Sequence, residues 1–137
     1  MQLLDLFWFL PTLVGHQEPN LQYTQYHLMQ DDQLIALVQD ALEGMKAKDI
    51  NLIDVRGRST VTDYMMVASG TSKRQVAAAA QEVIDKVKEQ GLLPMGIEGQ
   101  TVGDWVLVDL GSIIVHVMMP DARDFYDIER LWSVGDA

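Results

Sequence analysis

The chain reads as a single α/β domain, a mixed β-sheet flanked by helices, and three observations predict this. Apolar residues recur at helical spacing in two stretches, residues 34–45 and 76–87. Residues 64–68, Tyr-Met-Met-Val-Ala, form a continuous apolar run of the kind found in a strand buried on both faces. Residues 104–119 hold two β-branched-rich runs on either side of Gly111-Ser112, a dipeptide that marks a two-residue hairpin turn. At 137 residues and 48% hydrophobic, the chain is long enough for one domain with a real core and too apolar for disorder.

Residues 1–28 differ from the rest. They contain no Lys or Arg, and the apolar cluster at 3–14 is interrupted by Asp5 and Pro11. That cluster is too short to span a membrane, and it lacks the positive start and small-residue cleavage site of a secretory signal. Residues 17–27 are polar, include Tyr23, Tyr26 and His27, and show no clean period. The expectation is an extension of 1–28 outside the fold and poorly ordered, with a domain over 29–137; the alternative for 1–28 is a docking arm.

Regular patterning starts after Met29. Asp31 or Asp32 can cap a first helix whose apolar stripe is Leu34, Leu37, Val38, Ala41, Leu42 and Met45, and Lys46 and Lys48 suit the negative end of its dipole. A short strand over 50–55, a polar turn over 56–59 and the buried strand over 64–68 follow. Ser72 with Gln75 fits a capping box for a second helix, whose stripe is Val76, Ala79, Ala80, Val83, Ile84 and Val87. Gly91 and Pro94 stop it, and 95–98 can form a short strand limited by Gly96 and Gly99. After the hairpin, Pro120 ends the strand. Phe125, Ile128, Leu131 and Trp132 then predict one short C-terminal helix packed back on the body. No repeat, low-complexity tract or interdomain linker is visible.

The hairpin organises the rest. A two-residue turn at Gly111-Ser112 sets Leu110 opposite Ile113, Leu107 opposite His116 and Trp105 opposite Met118. Alternation then sorts the side chains. Val106, Val108, Leu110, Ile113, Val115 and Val117 form a wholly aliphatic face, a core. Trp105, Leu107, Asp109, Ile114, His116 and Met118 form a mixed face, either an outer face partly covered or a place where something docks. Trp105 is the most informative residue, since tryptophan is common both in cores and in interface hot spots; the residues alone weigh the two evenly.

Composition and motifs exclude several classes. A net charge of −10 argues against non-specific nucleic-acid binding and favours a basic partner. The absence of cysteine removes disulfides, thiolate zinc sites and cysteine nucleophiles, and agrees with a cytoplasmic protein. Asp54, Asp63, Asp104 and Asp109 sit near strand ends, where a metal-dependent nucleotidyltransferase would place its carboxylates, but the Asp-x-Asp pair that such chemistry uses is missing. Gly70-Thr71-Ser72-Lys73-Arg74 opens a helix but lacks the glycines and lysine position of a P-loop, so a capping turn is the better reading. His116 stands without a triad or ligand cluster around it in sequence. No catalytic residue, metal site or cofactor is expected.

With the hairpin read, five blocks in order resemble the ribosomal silencing factor family, also called Iojap. They are Asp63-Tyr64-Met65-Met66-Val67-Ala68-Ser69-Gly70-Thr71-Ser72, Gly96-Ile97-Glu98-Gly99, Asp104-Trp105-Val106-Leu107-Val108-Asp109-Leu110-Gly111, Val115-His116-Val117-Met118 and Arg123-Asp124-Phe125-Tyr126-Asp127-Ile128-Glu129-Arg130-Leu131-Trp132. Together they are specific and cover about residues 31–133; 1–28 match nothing in the pattern. Ser112 departs from the family's usual Gly-Asp turn, a change the turn should tolerate. The resemblance implies a nucleotidyltransferase-like fold without the catalytic carboxylates. It also implies a cytoplasmic translational repressor that binds the large ribosomal subunit through that subunit's ribosomal protein fourteen. There it would sterically block joining of the small subunit and damp translation in starvation. Its docking surface would include the strand at 105–110. Trp105, Leu107, Asp109, Leu110, His116 and Met118 are the expected contacts, although the register puts Leu110 on the core side. No membrane and no sequence-specific nucleic acid are expected as partners. The alternatives are a metal-dependent nucleotidyltransferase and a homodimeric structural module that uses the mixed hairpin face.

Overall fold

The structure, a computed structural model, describes residues 29–133. The expectation for 1–28 lies outside the described residues. Helix α1 spans Asp31–Gly44 and is followed by strand β1 at Lys48–Asp54 and strand β2 at Tyr64–Ser69. Helix α2 is Lys73–Glu89, β3 is Gly96–Glu98, β4 is Trp105–Asp109 and β5 is Ile113–Met118. Two short helices close the described chain, α3 at Pro120–Tyr126 and α4 at Ile128–Ser133.

The sheet order is β1-β2-β5-β4-β3. β2 pairs parallel with β5, and the other three pairings are antiparallel, so the sheet is mixed, as the α/β patterning predicts. β4 and β5 pair in the expected register, from Trp105 opposite Met118 to Asp109 opposite Ile114. The turn closes with the Leu110 N–H donating to the Ile113 carbonyl at 2.9 Å. Gly111 takes φ 88°, which glycine adopts without strain, and its N–H donates to Asp109 Oδ1 at 2.9 Å.

The aliphatic face is the main core. Val106, Val108, Leu110, Ile113, Val115 and Val117 are each 0% exposed and pack with Met66 and Ala68 of β2 against both long helices. α1 contributes Leu34, Val38, Ala41 and Leu42, and α2 contributes Val76, Ala79, Ala80, Val83, Ile84 and Val87. Each large aliphatic side chain buried this way stabilises by about 1.5–3 kcal/mol over exposure. Ala79 and Ala80, fully buried, keep the helix surface low where it meets the sheet. Leu110 is therefore a core residue, on the side where the register puts it.

Several local expectations need correcting. The N-cap of α1 is Gln30, whose N–H donates to Gln33 Oε1 at 3.1 Å. Asp31 and Asp32 lie in the first turn, where their charge suits the dipole. Lys46 and Lys48 are not in the last turn of α1. The helix ends at Gly44, and Lys46 adopts φ 62° on the way into β1. Ser72 caps α2 as expected, accepting from the Gln75 N–H at 3.0 Å, but Gln75 returns its bond to Thr71 rather than to Ser72. The expected single C-terminal helix is two helices, broken where Asp127 takes a left-handed φ of 49°. Phe125 and Leu131, expected to pack inward, are 79% and 72% exposed, while Ile128 is buried.

Candidate docking face

The second face of the sheet is divided. One half lies under α3 and α4, where Val67, Met118 and Ile128 form a small separate core with Ile53, Trp105 and Ala122 around it. Polar clasps hold this cover down. Arg123 donates from Nε to Glu129 Oε1 at 2.7 Å and from Nη2 to Glu129 Oε2 at 2.9 Å, and its Nη1 reaches Ser69 Oγ at 2.8 Å. Asn51 of β1 donates to the same Glu129 carboxylate at 2.8 Å. The hydrogen bonds from Arg123, and then that from Asn51, hold the Glu129 carboxyl below its ordinary range. At the end of α4, Arg58 donates to the Trp132 carbonyl.

The other half has no such cover among the described residues. It carries half-buried Leu107 and Asp109 of β4 and Ile114 of β5, with the exposed Glu98 of β3 directly opposite Leu107. Half-buried Trp105 stands at the boundary between the halves. Its indole N–H donates to His116 Nδ1 at 3.0 Å, and Tyr126 of α3 lies against the ring at 4.8 Å between centroids, tilted by 47°. Gly99, at φ 88°, directly follows β3, and a Cβ there would sit 2.0 Å from the Trp105 carbonyl oxygen.

Of the expected contacts, Trp105, Leu107 and Asp109 share the accessible face. His116 and Met118 point to the same side but are buried, at 3% and 0% exposed. Met118 is covered by Ile128, and His116 lies below Trp105, so neither presents a surface. Burial pushes the His116 imidazole down to about 4, so it is neutral near pH 7. Since Nδ1 accepts the indole N–H, the proton sits on Nε2. That N–H is buried and has no acceptor among the described residues, an arrangement that costs about 1–3 kcal/mol. Sequence reasoning missed Tyr126. The signal was its place in the resembling C-terminal block, but nothing local says that it folds back onto a strand twenty-one residues earlier.

Three of the four strand-end aspartates have local partners. Asp54 is paired with Arg56 at 2.6 Å, Asp104 with Lys73 at 3.4 Å, and Asp109 is tied into the hairpin turn. Arg56 holds the Asp54 carboxyl down at about 2. Among the described residues, no group of three or more His, Asp or Glu side chains could hold a metal ion, and no helix is long and apolar enough to cross a membrane.

Fold and face together define a small mixed-sheet α/β domain with an apolar, acid-edged patch on one side of its sheet. The family model described as "Ribosomal silencing factor during starvation" matches residues 29–137. A Haemophilus influenzae relative, "Ribosomal silencing factor RsfS", is 45% identical over 100 residues, covering 73% of this chain and 98% of the relative. The mouse "Mitochondrial assembly of ribosomal large subunit protein 1" is 33% identical over 106 residues, covering 75% of this chain and 45% of that protein. The crystal structure of a Chromobacterium violaceum protein superposes with a TM-score of 0.75 at 46% identity, covering 76% of this chain and 87% of that one. The chain belongs to the ribosomal silencing factor family.

Proposed function

We propose that this protein is a translational repressor that acts by occlusion rather than catalysis. It docks on the large ribosomal subunit through that subunit's ribosomal protein fourteen, in the cytoplasm, and its bulk keeps the small subunit from joining when nutrients are scarce. One observation carries the docking site: among the described residues, Trp105, Leu107 and Ile114 are only half-buried, on the face of the hairpin opposite its fully buried aliphatic side. A half-buried tryptophan next to aliphatic side chains is the composition of an interface hot spot. The acidic neighbours Glu98 and Asp109, within a chain of net charge −10, suit a basic ribosomal protein. The names of the bacterial relatives and of the mouse protein support a ribosomal, large-subunit setting.

The test is co-sedimentation with purified large and small subunits. The protein should travel with large subunits alone and lower the yield of joined ribosomes in proportion to its occupancy. Co-sedimentation with small subunits only, or binding that leaves joining unaffected, would sink the proposal.

A further inference from the structure

We infer that His116 is a positioning residue for docking: its Nδ1, buried beneath the sheet surface, holds the Trp105 indole in the pose that meets the partner. The inference rests on the docking face proposed above and assigns a buried residue a part in it. Three observations carry it. The indole N–H ends on His116 Nδ1 at 3.0 Å, which turns the polar edge of the ring inward. The two rings lie 5.8 Å apart and tilted by 46°, so the contact is an edge bond rather than a stack. Tyr126 supports the indole at 4.8 Å, which leaves the ring held at its N–H and against a second aromatic.

Packing alone does not call for histidine here. A leucine or phenylalanine at this strand position would fill space among apolar neighbours and bring no buried polar atom of its own. The histidine is 3% exposed and carries an Nε2 N–H without an acceptor among the described residues. What it supplies that an apolar residue cannot is an acceptor aimed at the indole. A tryptophan fixed before contact loses less conformational freedom on binding, and this raises affinity without adding a contact.

The experiment compares His116→Leu, His116→Phe and His116→Asn with the parent full-length chain. Asparagine is chosen because its amide oxygen falls close to where Nδ1 lies. Two readouts are taken on each: the indole N–H resonance of Trp105, assigned by its loss in Trp105→Phe, and co-sedimentation with large subunits. In the parent, the indole proton should resonate downfield and exchange slowly. His116→Leu should keep the fold, move that resonance upfield, speed its exchange and weaken binding about tenfold, the scale of one lost hydrogen bond. His116→Asn should recover most of both. If His116→Leu does not fold, His116→Phe, which keeps a ring but no acceptor, is read in its place. Parent-like binding in the leucine or phenylalanine variant, with binding lost in Trp105→Ala, overturns the positioning role alone. Failure of His116→Asn to recover either readout also overturns it. Parent-like binding in Trp105→Ala as well would overturn the docking face, and the positioning role with it.

Discussion

At the scale of single residues, the Trp105–His116 pair links stability, pH and contact. Burial holds the His116 imidazole at about 4, whereas in the unfolded chain it titrates near the ordinary histidine value of 6.5. Between those values the unfolded state binds the extra proton and the native state does not, so stability falls as pH drops from 6.5 towards 4. The slope from this one group approaches about 1.4 kcal/mol per pH unit, and stability near pH 7 is unaffected. Urea midpoints from pH 7 to 5 should show the decline in the parent and a flatter line in His116→Asn. That window lies above the range where Glu129, whose carboxyl is held low, begins to lose its contribution as pH falls. Trp105→Ala should destabilise by about 1–3 kcal/mol, since it leaves His116 Nδ1 unpaired and opens part of the small core. It should also weaken large-subunit binding by about 2 kcal/mol or more. Val108→Ala, in the main core, should lose stability and leave the binding of the folded fraction intact. Equal binding by Trp105→Ala and the parent would remove the anchor role.

At the scale of elements, what the sequence makes legible depends on how local its causes are. The β4–β5 hairpin is legible because the turn dipeptide and the alternation of its flanks lie within sixteen consecutive residues, and together they fix both register and face. The α1 and α2 stripes are legible for the same reason. The cover formed by α3 and α4 is not. Its position comes from Arg123, Glu129 and Asn51 meeting across a separation of 78 residues, and from the left-handed Asp127 that splits one helical pattern into two. Hence alternation along the hairpin puts His116 and Met118 on the correct face but carries no sign of their burial. The clasp makes a prediction of its own. The Arg123 and Glu129 side chains are 13% and 26% exposed. Arg123→Ala therefore leaves a partly buried carboxylate with only Asn51, and should cost about 1–3 kcal/mol. Hydrogen exchange should rise first in α3 and α4 and at the Trp105 indole, while α1 and α2 stay protected. Arg56→Ala, which breaks a pair at 60% and 49% exposure, should leave the midpoint unchanged. Uniform exchange across the whole domain in Arg123→Ala would mean that the cover is not a separate unit.

At the scale of the whole molecule, two features remain: the extent of the folded unit and its charge. Met29 packs against the main core, and the family match begins at the same residue. We propose that residues 29–137 are the folding and docking unit. A chain beginning at Met29 should melt within about two degrees of the full chain and bind large subunits equally; a loss of several degrees, about 1 kcal/mol or more, would show that the first 28 residues contribute to the fold. Charge acts on the kinetics of docking. With a net charge of −10, the protein should be drawn towards a basic ribosomal surface from beyond contact range. Salt shortens that range, from a Debye length of about 10 Å at 0.1 M to about 3 Å at 1 M. Burial of Trp105 against a partner depends far less on salt, because the apolar contact is made after water has left. Raising monovalent salt at fixed magnesium should therefore slow association about tenfold while changing dissociation by only about twofold. Trp105→Ala should show the reverse, with association close to the parent and dissociation faster. If salt instead changes dissociation and spares association, the acidic edge is part of the contact itself rather than a means of steering the protein towards it.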